Sequence, residues 1–328
     1  MSSSPCAYAI DIGGTHIKAG ILTQEGDVLA LQRVETPAQS SPETVVQHLF
    51  ALQRQLCQEA AVPVQDLAGV GISIAAFITA GGDVTATAHL SPQWIGYNLK
   101  NRLSQEIRLP YYFTLDTPAA AFGEAYYGAG QGIPDFVYVT VSTGIGAGIF
   151  AGGRYMIGGL GWAGGIGHII IDESSPRVCS GCGNHGCLET FAAKQGVITT
   201  AREVAQAFPD SQLGQHFRQD PESLDPRRVF QLAEAGDQAA RQVYSRVGHG
   251  LGIGLTNLVD VISPTRVVIG GGISLAGDLL LDPARRVIQQ RAFPPQNRQV
   301  ELVVAELGDL SGMYGAAAMV FNDIRVNP

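Results

Sequence analysis

The sequence predicts an α/β protein with two lobes, and three observations support this fold class. The chain has 328 residues, 45% of them hydrophobic, so it is long enough for two domains with separate cores. A strand–turn–strand pattern at residues 8–22 returns at residues 136–150, which indicates two related lobes. Segments with helical spacing alternate with apolar, strand-like segments over the rest of the chain, as is typical of α/β architecture.

Each element is predicted from its local pattern. Residues 8–11 and 17–22 flank a Gly-Gly-Thr turn, and residues 136–141 and 146–150 flank a Ser-Thr-Gly-Ile-Gly turn, which predicts two hairpins. The remaining predictions are helices at 43–60, 119–130 and 239–262, a buried strand at 67–78, a strand that enters a helix through three glycines at 265–280, and a polar surface connection at 208–228.

Composition and charge exclude several classes of function. The formal net charge is −8 and the 21 Lys and Arg residues are not clustered, so we expect no nucleic-acid partner. No apolar run approaches the roughly 18 residues that a membrane helix needs, so we expect no membrane partner. The first residues lack the basic flank and apolar core of a secretory signal, which predicts a cytoplasmic protein.

Three glycine clusters, at residues 13–14, 144–148 and 270–272, are candidate phosphate-binding turns. Backbone N–H groups that no side chain covers form anion-binding concavities. Asp11 precedes the first turn and is placed to face a magnesium ion through water, while Thr15 adds a hydroxyl and Lys18 a positive charge. A single such turn is equally well explained as a hairpin closure. Walker and Rossmann fingerprints are absent. Phosphate-binding turns in two facing hairpins resemble the arrangement of the actin-like ATPase and sugar-kinase fold.

Cysteine spacing predicts a structural zinc site. Cys179, Cys182 and Cys187 give C-x2-C-x4-C, and His168 precedes them by ten intervening residues. Three thiolates and one imidazole form the closed tetrahedral set that structural zinc prefers, and a reducing compartment disfavours disulfides. The alternative is a group of small buried cysteines that bind nothing.

Four motifs then match, in order, those of the ROK family of repressors, open reading frames and sugar kinases: DIGGT, STGIGAGIFAGG, GHIIIDESSPRVCSGCGNHGCLET and VVIGGGIS. The chain resembles this family over nearly its whole length. The resemblance implies a two-lobed actin-like (ribonuclease-H-like) fold, with a small lobe at 1–117 plus 309–328 and a large lobe at 118–308. It also implies ATP and Mg²⁺ between the lobes, a sugar as phosphoryl acceptor, and a homo-oligomer, either dimer or tetramer.

The resemblance also implies roles for individual residues. Asp116 matches the Asp that acts as general base, although an Asp before this helix is also good capping chemistry. His168 would bind zinc through one ring nitrogen and sugar through the other, and Glu189 would accept from sugar hydroxyls, its alternative being a solvated carboxylate at a helix start. The residues implied for the nucleotide are Asp11, Gly13, Gly14, Thr15, Lys18, Thr143, Gly144, Gly146, Gly270, Gly271 and Gly272.

The chain departs from the family pattern at the implied sugar contacts. Leu115 stands where an Asn is usual, Gly165 where a Glu is usual, and Ala75 and Ala76 where Pro-Gly is usual. One lost hydrogen bond to a buried hydroxyl costs on the order of 1–3 kcal/mol, so plain glucose is disfavoured. Because Gly165 removes a side chain and Leu115 adds an apolar one, the sequence favours a bulkier or less polar acceptor, such as an N-acyl hexosamine.

The sequence is compatible with three functions. The first is an ATP-dependent kinase that acts on the 6-hydroxyl of a hexose or modified hexose, as the intact turns and Asp116 favour. The second is a sugar-sensing regulator that is catalytically weak or inactive, and it would lack a DNA-binding domain because the first strand starts near residue 7. The third is a zinc-ribbon interaction module, which the surrounding charge does not support.

Overall fold

The computed structural model describes residues 4–37, 39–87 and 90–325, which form two compact units. Unit 1 comprises Met1–Gly132, Ile157–Ala163 and Glu306–Pro328, and unit 2 comprises Ile133–Met156 and Gly164–Ala305. The chain therefore passes from one unit to the other several times. The lobe boundaries after residue 117 and before residue 309 stay a prediction.

The two units contain sheets with the same internal order. Unit 1 has the order β3-β2-β1-β4-β7 and unit 2 the order β10-β9-β8-β11-β12. In each sheet the first three strands are antiparallel and the last two run parallel to the central one. The strands are β1 (Cys6–Ile12), β2 (His16–Thr23), β3 (Val28–Glu35), β4 (Leu67–Ile74), β5 (Ala76–Ile78), β6 (Val84–Thr87), β7 (Tyr111–Leu115), β8 (Phe136–Val141), β9 (Ile145–Ala151), β10 (Arg154–Tyr155), β11 (Arg266–Gly270) and β12 (Glu301–Val304).

The two predicted hairpins are confirmed as β1–β2 and β8–β9. The buried strand predicted at 67–78 is divided into β4 and the short β5, which pairs with β6 outside the main sheet. Alternating apolar and glycine residues favour an uninterrupted strand, whereas the chain leaves the sheet at Ala75, whose N–H donates to the Ile12 carbonyl at 2.9 Å.

Helices follow the strands in the way that the sequence alternation predicts. Within the described part of the chain, none of the helices is both long and apolar enough to cross a lipid bilayer. The helices are α1 (Pro42–Glu59), α2 (Leu99–Leu103), α3 (Asp116–Tyr127), α4 (Glu189–Ala192), α5 (Lys194–Ala207), α6 (Gln212–Gln219), α7 (Pro226–Glu234), α8 (Gln238–Ile262), α9 (Asp278–Arg291) and α10 (Ser311–Phe321).

The prediction of a plain surface connection at 208–228 is wrong, because the segment contains α6 and the start of α7. Ser211 caps α6 by accepting from the Gly214 N–H at 3.0 Å. Leu213 and Leu224 are both buried in the core of unit 2. Together with the half-buried Phe217, they dock a largely polar segment on the core.

Helix α1 shows how sequence spacing builds the core of unit 1. Its buried apolar residues recur with helical spacing, and Ser41 caps the first turn by accepting from the Thr44 N–H at 3.3 Å. The buried face packs against the sheet and shares one apolar core with β1 and β2. The apolar residues on this face of α1 are Val45, Val46, Leu49, Phe50, Leu52 and Leu56.

A fully buried side chain, that of Glu124 in α3, connects several segments of unit 1. Its two carboxyl oxygens accept from the Ala129 N–H at 2.9 Å and from the Ser311 hydroxyl at 2.9 Å. They also accept from the N–H groups of Glu306 at 3.1 Å and Leu307 at 3.0 Å. One carboxyl group therefore ties α3 and α10 to the segments at which the chain leaves and re-enters unit 1.

We expect Glu124→Gln to lower the free energy of unfolding by about 2–3 kcal/mol. The amide keeps the shape of the side chain but replaces one acceptor by a donor, which then faces other donors in a buried site. Urea denaturation followed by circular dichroism measures the change. The exposed Glu222→Gln is the matched control and should change stability by less than about 0.5 kcal/mol, and an equal effect of both variants would contradict the assigned role.

Candidate functional site

In unit 1, an acidic side chain lies at the first glycine turn in a defined polar setting. Asp11, near the end of β1, is opposite Lys18 in β2 and Ser73 in β4. The Lys18 ammonium lies 3.3 Å from one Asp11 carboxyl oxygen, and the Ser73 hydroxyl donates to the other at 2.8 Å. Lys18 also donates to the Asp309 carbonyl. The cross-strand register therefore fixes the carboxylate next to Gly13 and Gly14, where it could face a cation.

The first turn itself is braced by Thr36. The Thr36 hydroxyl donates to the Gly13 carbonyl at 2.7 Å, and the Thr36 N–H donates to the Thr15 carbonyl at 2.8 Å. The Gly13 N–H donates to the His16 carbonyl at 3.0 Å, so this donor already belongs to the hairpin. The turn is rigid, and the phosphate-binding role of Gly13, Gly14 and Thr15 stays a prediction.

Asp11, Ser73 and Thr114 form a row of polar side chains across three neighbouring strands. Thr114 lies in β7 opposite Ser73, is fully buried, and its hydroxyl has no hydrogen-bond partner in the described part of the chain. Burial of an unpaired hydroxyl is unfavourable, and most buried polar groups are paired. The sequence gives no signal for this role of Thr114, because the lack of a partner depends on the packing.

Asp116 is the first residue of α3 and follows Leu115, the last residue of β7. Its carboxylate is exposed and accepts from the Thr117 N–H at 2.7 Å. A negative charge in the first turn of a helix is stabilised by the helix dipole. Leu115, not Asp116, is the N-cap residue of α3, so the carboxylate supports the helix start through its charge and not as a cap. The role of general base stays a prediction.

In unit 2, Ser142 and Thr143, next to the second glycine cluster, and Gly272 of the third line one cavity of about 660 Å³. Gly271 has φ +85°, and a Cβ at this position would lie 2.5 Å from the Val141 carbonyl oxygen, so only glycine permits the close approach. Gly146 lies in β9 and Gly270 ends β11. The cavity is lined by Ser142, Thr143, Lys194, Asp225, Pro226, Arg227, Phe230, Gln231, Glu234, Tyr244, Gly272, Ile273, Leu275 and Ala276.

The cavity combines aromatic and aliphatic walls with a few charged groups, and its volume lies in the range of pockets for small organic ligands. Lys194 and Arg227 place positive charge in its wall. The Lys194 N–H donates to the Ser142 carbonyl at 2.9 Å, which joins the start of α5 to the glycine turn. Sequence reasoning missed both residues, because isolated cations carry no motif until the fold brings them to a turn.

The four predicted metal ligands of unit 2 converge. One ligand atom from each of His168, Cys179, Cys182 and Cys187 lies within 4.8 Å of the other three. The Cys179 sulfur is 3.5 Å from His168 Nδ1, and the Cys182 and Cys187 sulfurs are 3.5 Å apart. Tetrahedral zinc with Zn–S bonds of about 2.3 Å separates its ligand atoms by about 3.7 Å. The donor set and its spacing therefore fit a zinc ion.

Local backbone features shape the segment that carries these ligands. Isolated antiparallel bridges join Ile170 to Cys187 and Val178 to His185. At Gly186, where φ is +70°, a Cβ would lie 1.7 Å from the Asp172 carbonyl oxygen, so the turn requires glycine. Arg177 anchors the segment to α4 and α5, donating to the Thr190 carbonyl at 3.1 Å and to Glu203 at 2.7 Å.

The thiol pKa values differ across the cluster. A hydrogen bond from the Asn184 backbone N–H lowers the pKa of Cys182 to about 7. Burial raises the pKa of Cys179 to about 12 and also raises the pKa of Cys187. Buried thiolates at this spacing repel one another unless a cation compensates their charge. A bound cation would therefore favour the thiolate form of all three thiols.

Glu189 lies against this cluster. It begins α4, and one of its carboxyl oxygens is 3.0 Å from the Cys179 sulfur. A Cβ built on Gly144 would be 3.1 Å from its other oxygen. The structure of unit 2 thus brings Glu189, the cysteine cluster and the second glycine turn together. Whether Glu189 binds sugar stays a prediction.

The positions that depart from the family pattern have different surroundings. Gly165 is exposed, and a Cβ built on it meets no atom of the described residues within 4 Å, so its missing side chain leaves open space. Ala76 is buried in β5 of unit 1. Leu115 is half-buried. The lost polar groups are therefore not replaced by other polar side chains at the same positions.

Comparison with known proteins identifies similar sequences and structures. Residues 7–323 match the model of the ROK family. A glucokinase of Halalkalibacterium halodurans is 33% identical over 313 residues, 95% of this chain and 93% of the relative. An N-acetylmannosamine kinase of Escherichia coli O157:H7 is 32% identical over 314 residues, 95% of this chain and 97% of the relative.

A regulator and a solved structure are also similar. The xylose repressor of Caldicellulosiruptor bescii is 30% identical over 322 residues, 97% of this chain but 79% of the repressor. A ROK family glucokinase from Streptomyces griseus, in complex with glucose and AMPPNP, has a TM-score of 0.77 and 30% identity, with 97% of this chain and 99% of that chain covered. The α/β fold with mixed sheets matches that of this kinase.

We expect Thr114→Val to leave the free energy of unfolding unchanged or to raise it by up to about 1 kcal/mol. Valine keeps the shape of threonine and removes a hydroxyl that no described residue pairs. Ser73→Ala, the control, removes the donor to Asp11 and should lower stability by about 1–2 kcal/mol. Urea denaturation compares the two, and a marked loss of stability in Thr114→Val would show that the hydroxyl is paired in solution.

Proposed function

Because the chain belongs to the ROK family, we propose that this protein is an ATP-dependent sugar kinase of actin-like fold. It transfers the γ-phosphoryl group to the 6-hydroxyl of a hexose or N-acyl hexosamine, with Asp116 as general base. The observation that carries the proposal is the end-to-end match with a glucokinase that was crystallised with glucose and AMPPNP. The repeated strand order of the two sheets is consistent with the actin-like fold.

The cavity of unit 2 is proposed to hold the nucleotide. Its aromatic and aliphatic walls suit a base, and Thr143 and Gly272, which lie at two of the glycine turns, are proposed to face the phosphates. Lys194 and Arg227 add positive charge for the same anion, while Asp225 and Glu234 add negative charge to the lining. This assignment uses residues of unit 2 alone, and contacts of the nucleotide with Gly144, Gly146, Gly270 and Gly271 stay a prediction.

Residues of unit 1 are proposed to act on the reacting phosphate. Mg²⁺, when bound, would neutralise phosphate charge and orient the transferred group. Asp11, held by Ser73 and Lys18, is the residue proposed to face it through water. Lys18 would balance the charge of the carboxylate and of the phosphates, and the turn at Gly13, Gly14 and Thr15 would add donors.

Asp116 is proposed to accept the proton of the sugar 6-hydroxyl. The hydroxyl oxygen forms a bond to the γ-phosphorus as the bond from that phosphorus to the bridging oxygen of ATP breaks, and ADP leaves with the electron pair. An exposed carboxylate at the start of α3 can receive this proton without crossing a buried region.

Zinc is proposed to organise the acceptor site, held by His168, Cys179, Cys182 and Cys187. Bound zinc fixes the tautomer and orientation of a liganding imidazole. With His168 Nδ1 directed at the cluster, Nε2 remains to contact the sugar. Glu189, beside Cys179, would accept from a sugar hydroxyl.

The proposed acceptor class follows from the altered positions. Open space at Gly165 and an apolar side chain at Leu115 favour a larger and less polar group than the hydroxyl of glucose. The similarity to an N-acetylmannosamine kinase supports an N-acyl hexosamine as this acceptor.

A sugar-responsive regulator is the second candidate. It is favoured by the similarity to a xylose repressor, of which this chain matches 79%, and by the loss of polar groups at Leu115 and Gly165. The two candidates differ in whether any sugar accelerates ATP consumption. A panel of sugars tested for ADP release therefore distinguishes them.

We expect Asp116→Asn to lower kcat by about 10²–10⁴-fold while the KM for ATP changes little, because the amide cannot accept the proton. Coupled measurement of ADP release over the sugar panel gives both constants. Asp210→Asn, an exposed residue of unit 2, is the control. A kcat of Asp116→Asn equal to that of the parent protein would exclude this residue as the base.

We expect about one zinc ion per chain, measured by elemental analysis, and a loss of zinc in Cys187→Ser. Chelation should abolish sugar binding and leave nucleotide binding largely intact, since the cluster lies against Glu189. Isothermal titration with sugar and with AMPPNP separates the two effects. Cys57→Ser, a buried thiol outside the cluster, should retain zinc, and equal loss of both ligands on chelation would reduce zinc to a role in folding.

A further inference from the structure

We propose that Phe77 and Trp162 form an aromatic subsite for the acyl substituent of an N-acyl hexosamine acceptor. The inference rests on the proposed kinase function and assigns its substrate selectivity to two residues that no motif includes. It extends the acceptor site beyond the residues that the family resemblance implies.

The two rings meet in unit 1. Their centroids are 5.1 Å apart with an interplanar angle of 62°, an edge-to-face contact. Despite this contact, Phe77 is 41% exposed and Trp162 is 54% exposed. Two large aromatic side chains that touch and remain open to solvent form an apolar surface of the kind that marks ligand and partner sites.

The backbone holds both residues in ordered positions. Phe77 lies in β5, opposite Ala86 of β6. Trp162 belongs to a loop closed by its own hydrogen bonds, from the Ala163 N–H to the Ile157 carbonyl at 3.1 Å and from the Gly161 N–H to the Gly158 carbonyl at 3.2 Å. Because the loop is already ordered, less conformational entropy is lost when a ligand immobilises the ring of Trp162.

Each ring neighbours in sequence a position at which the chain departs from the family pattern. Phe77 directly follows Ala75 and Ala76, and Trp162 precedes Gly165 by three residues. The two segments that lack the usual acceptor contacts are thus the same two segments that supply the exposed rings. This coincidence favours the acceptor substrate, rather than an unrelated partner, as the occupant.

The chemistry of the pair suits an acyl group. The ring faces can cover a methyl group, which favours burial, and the indole N–H of the exposed Trp162 can donate to the acyl carbonyl. A hexose without this substituent has a hydroxyl at the same carbon and gains less from an apolar surface. The pair therefore predicts selectivity for the acylated sugar over its parent hexose.

Tryptophan fluorescence tests binding without turnover, because the full-length chain has two tryptophans and Trp94 is fully buried while Trp162 is exposed. We expect N-acetylmannosamine, in the presence of AMPPNP, to shift the emission to shorter wavelength, whereas mannose gives a smaller shift at equal saturation. Trp162→Phe is the spectral control and should abolish the shift. Identical shifts with both sugars, or none with either, would overturn the subsite.

Kinetics tests selectivity. We expect Trp162→Ala and Phe77→Ala each to lower the ratio of kcat/KM for N-acetylmannosamine to that for mannose by about tenfold or more, mainly through KM. Leu160→Ala, on the same loop and 87% exposed, is the matched control and should leave the ratio unchanged. Circular dichroism verifies that each variant is folded.

The outcomes separate this inference from the proposed function. If ATP consumption depends on sugar but the ratio is the same in Trp162→Ala as in the parent protein, the subsite is wrong and the kinase function stands. If no sugar is phosphorylated, the kinase function fails and the fluorescence titration alone decides the subsite. A change of oligomeric state in Trp162→Ala at an unchanged ratio, seen by sedimentation, would assign the rings to contact with a second copy and overturn the inference.

Discussion

The mutual approach of one imidazole and three thiols is the constraint on which the candidate site of unit 2 depends. Four donors within 4.8 Å of one another fix the ends of a 20-residue segment that has little regular structure of its own. Glu189 follows the last cysteine closely, and its carboxylate reaches both Cys179 and the glycine turn at Gly144. The geometry of the acidic side chain is therefore inherited from the metal-ligand cluster, as expected where ligands and their neighbours are held as one network.

Sequence patterns predicted the fold class, both hairpins and the convergence of His168 with the three cysteines, because period, turn chemistry and ligand spacing are local properties. They did not predict α6, because its two apolar residues, Leu213 and Phe217, have helical spacing over only eight residues and so give a weak periodic signal. They also missed Lys194 and Glu124, because the roles of these residues depend on contacts between segments far apart in the chain. Local chemistry can be predicted from the sequence, whereas contacts between distant segments are known only once the fold is known.

The row of polar side chains across the sheet of unit 1 shows what can be predicted from the sequence and what cannot. Asp11 was recognisable from its place before two glycines, but its bonds to Ser73 and Lys18 follow from strand register. Thr114 completes the row with a hydroxyl that no described residue satisfies. A motif predicts which residue is charged, and the strand register determines which side chains contact that residue.

The carboxyl group of Glu124 has a consequence for motion. Within unit 1, the backbone N–H groups of Ala129 and Glu306, which lie far apart in the chain, are both bonded to this one side chain. A local opening at either segment therefore breaks hydrogen bonds to the carboxyl group that also holds the other, so the two segments are expected to loosen together.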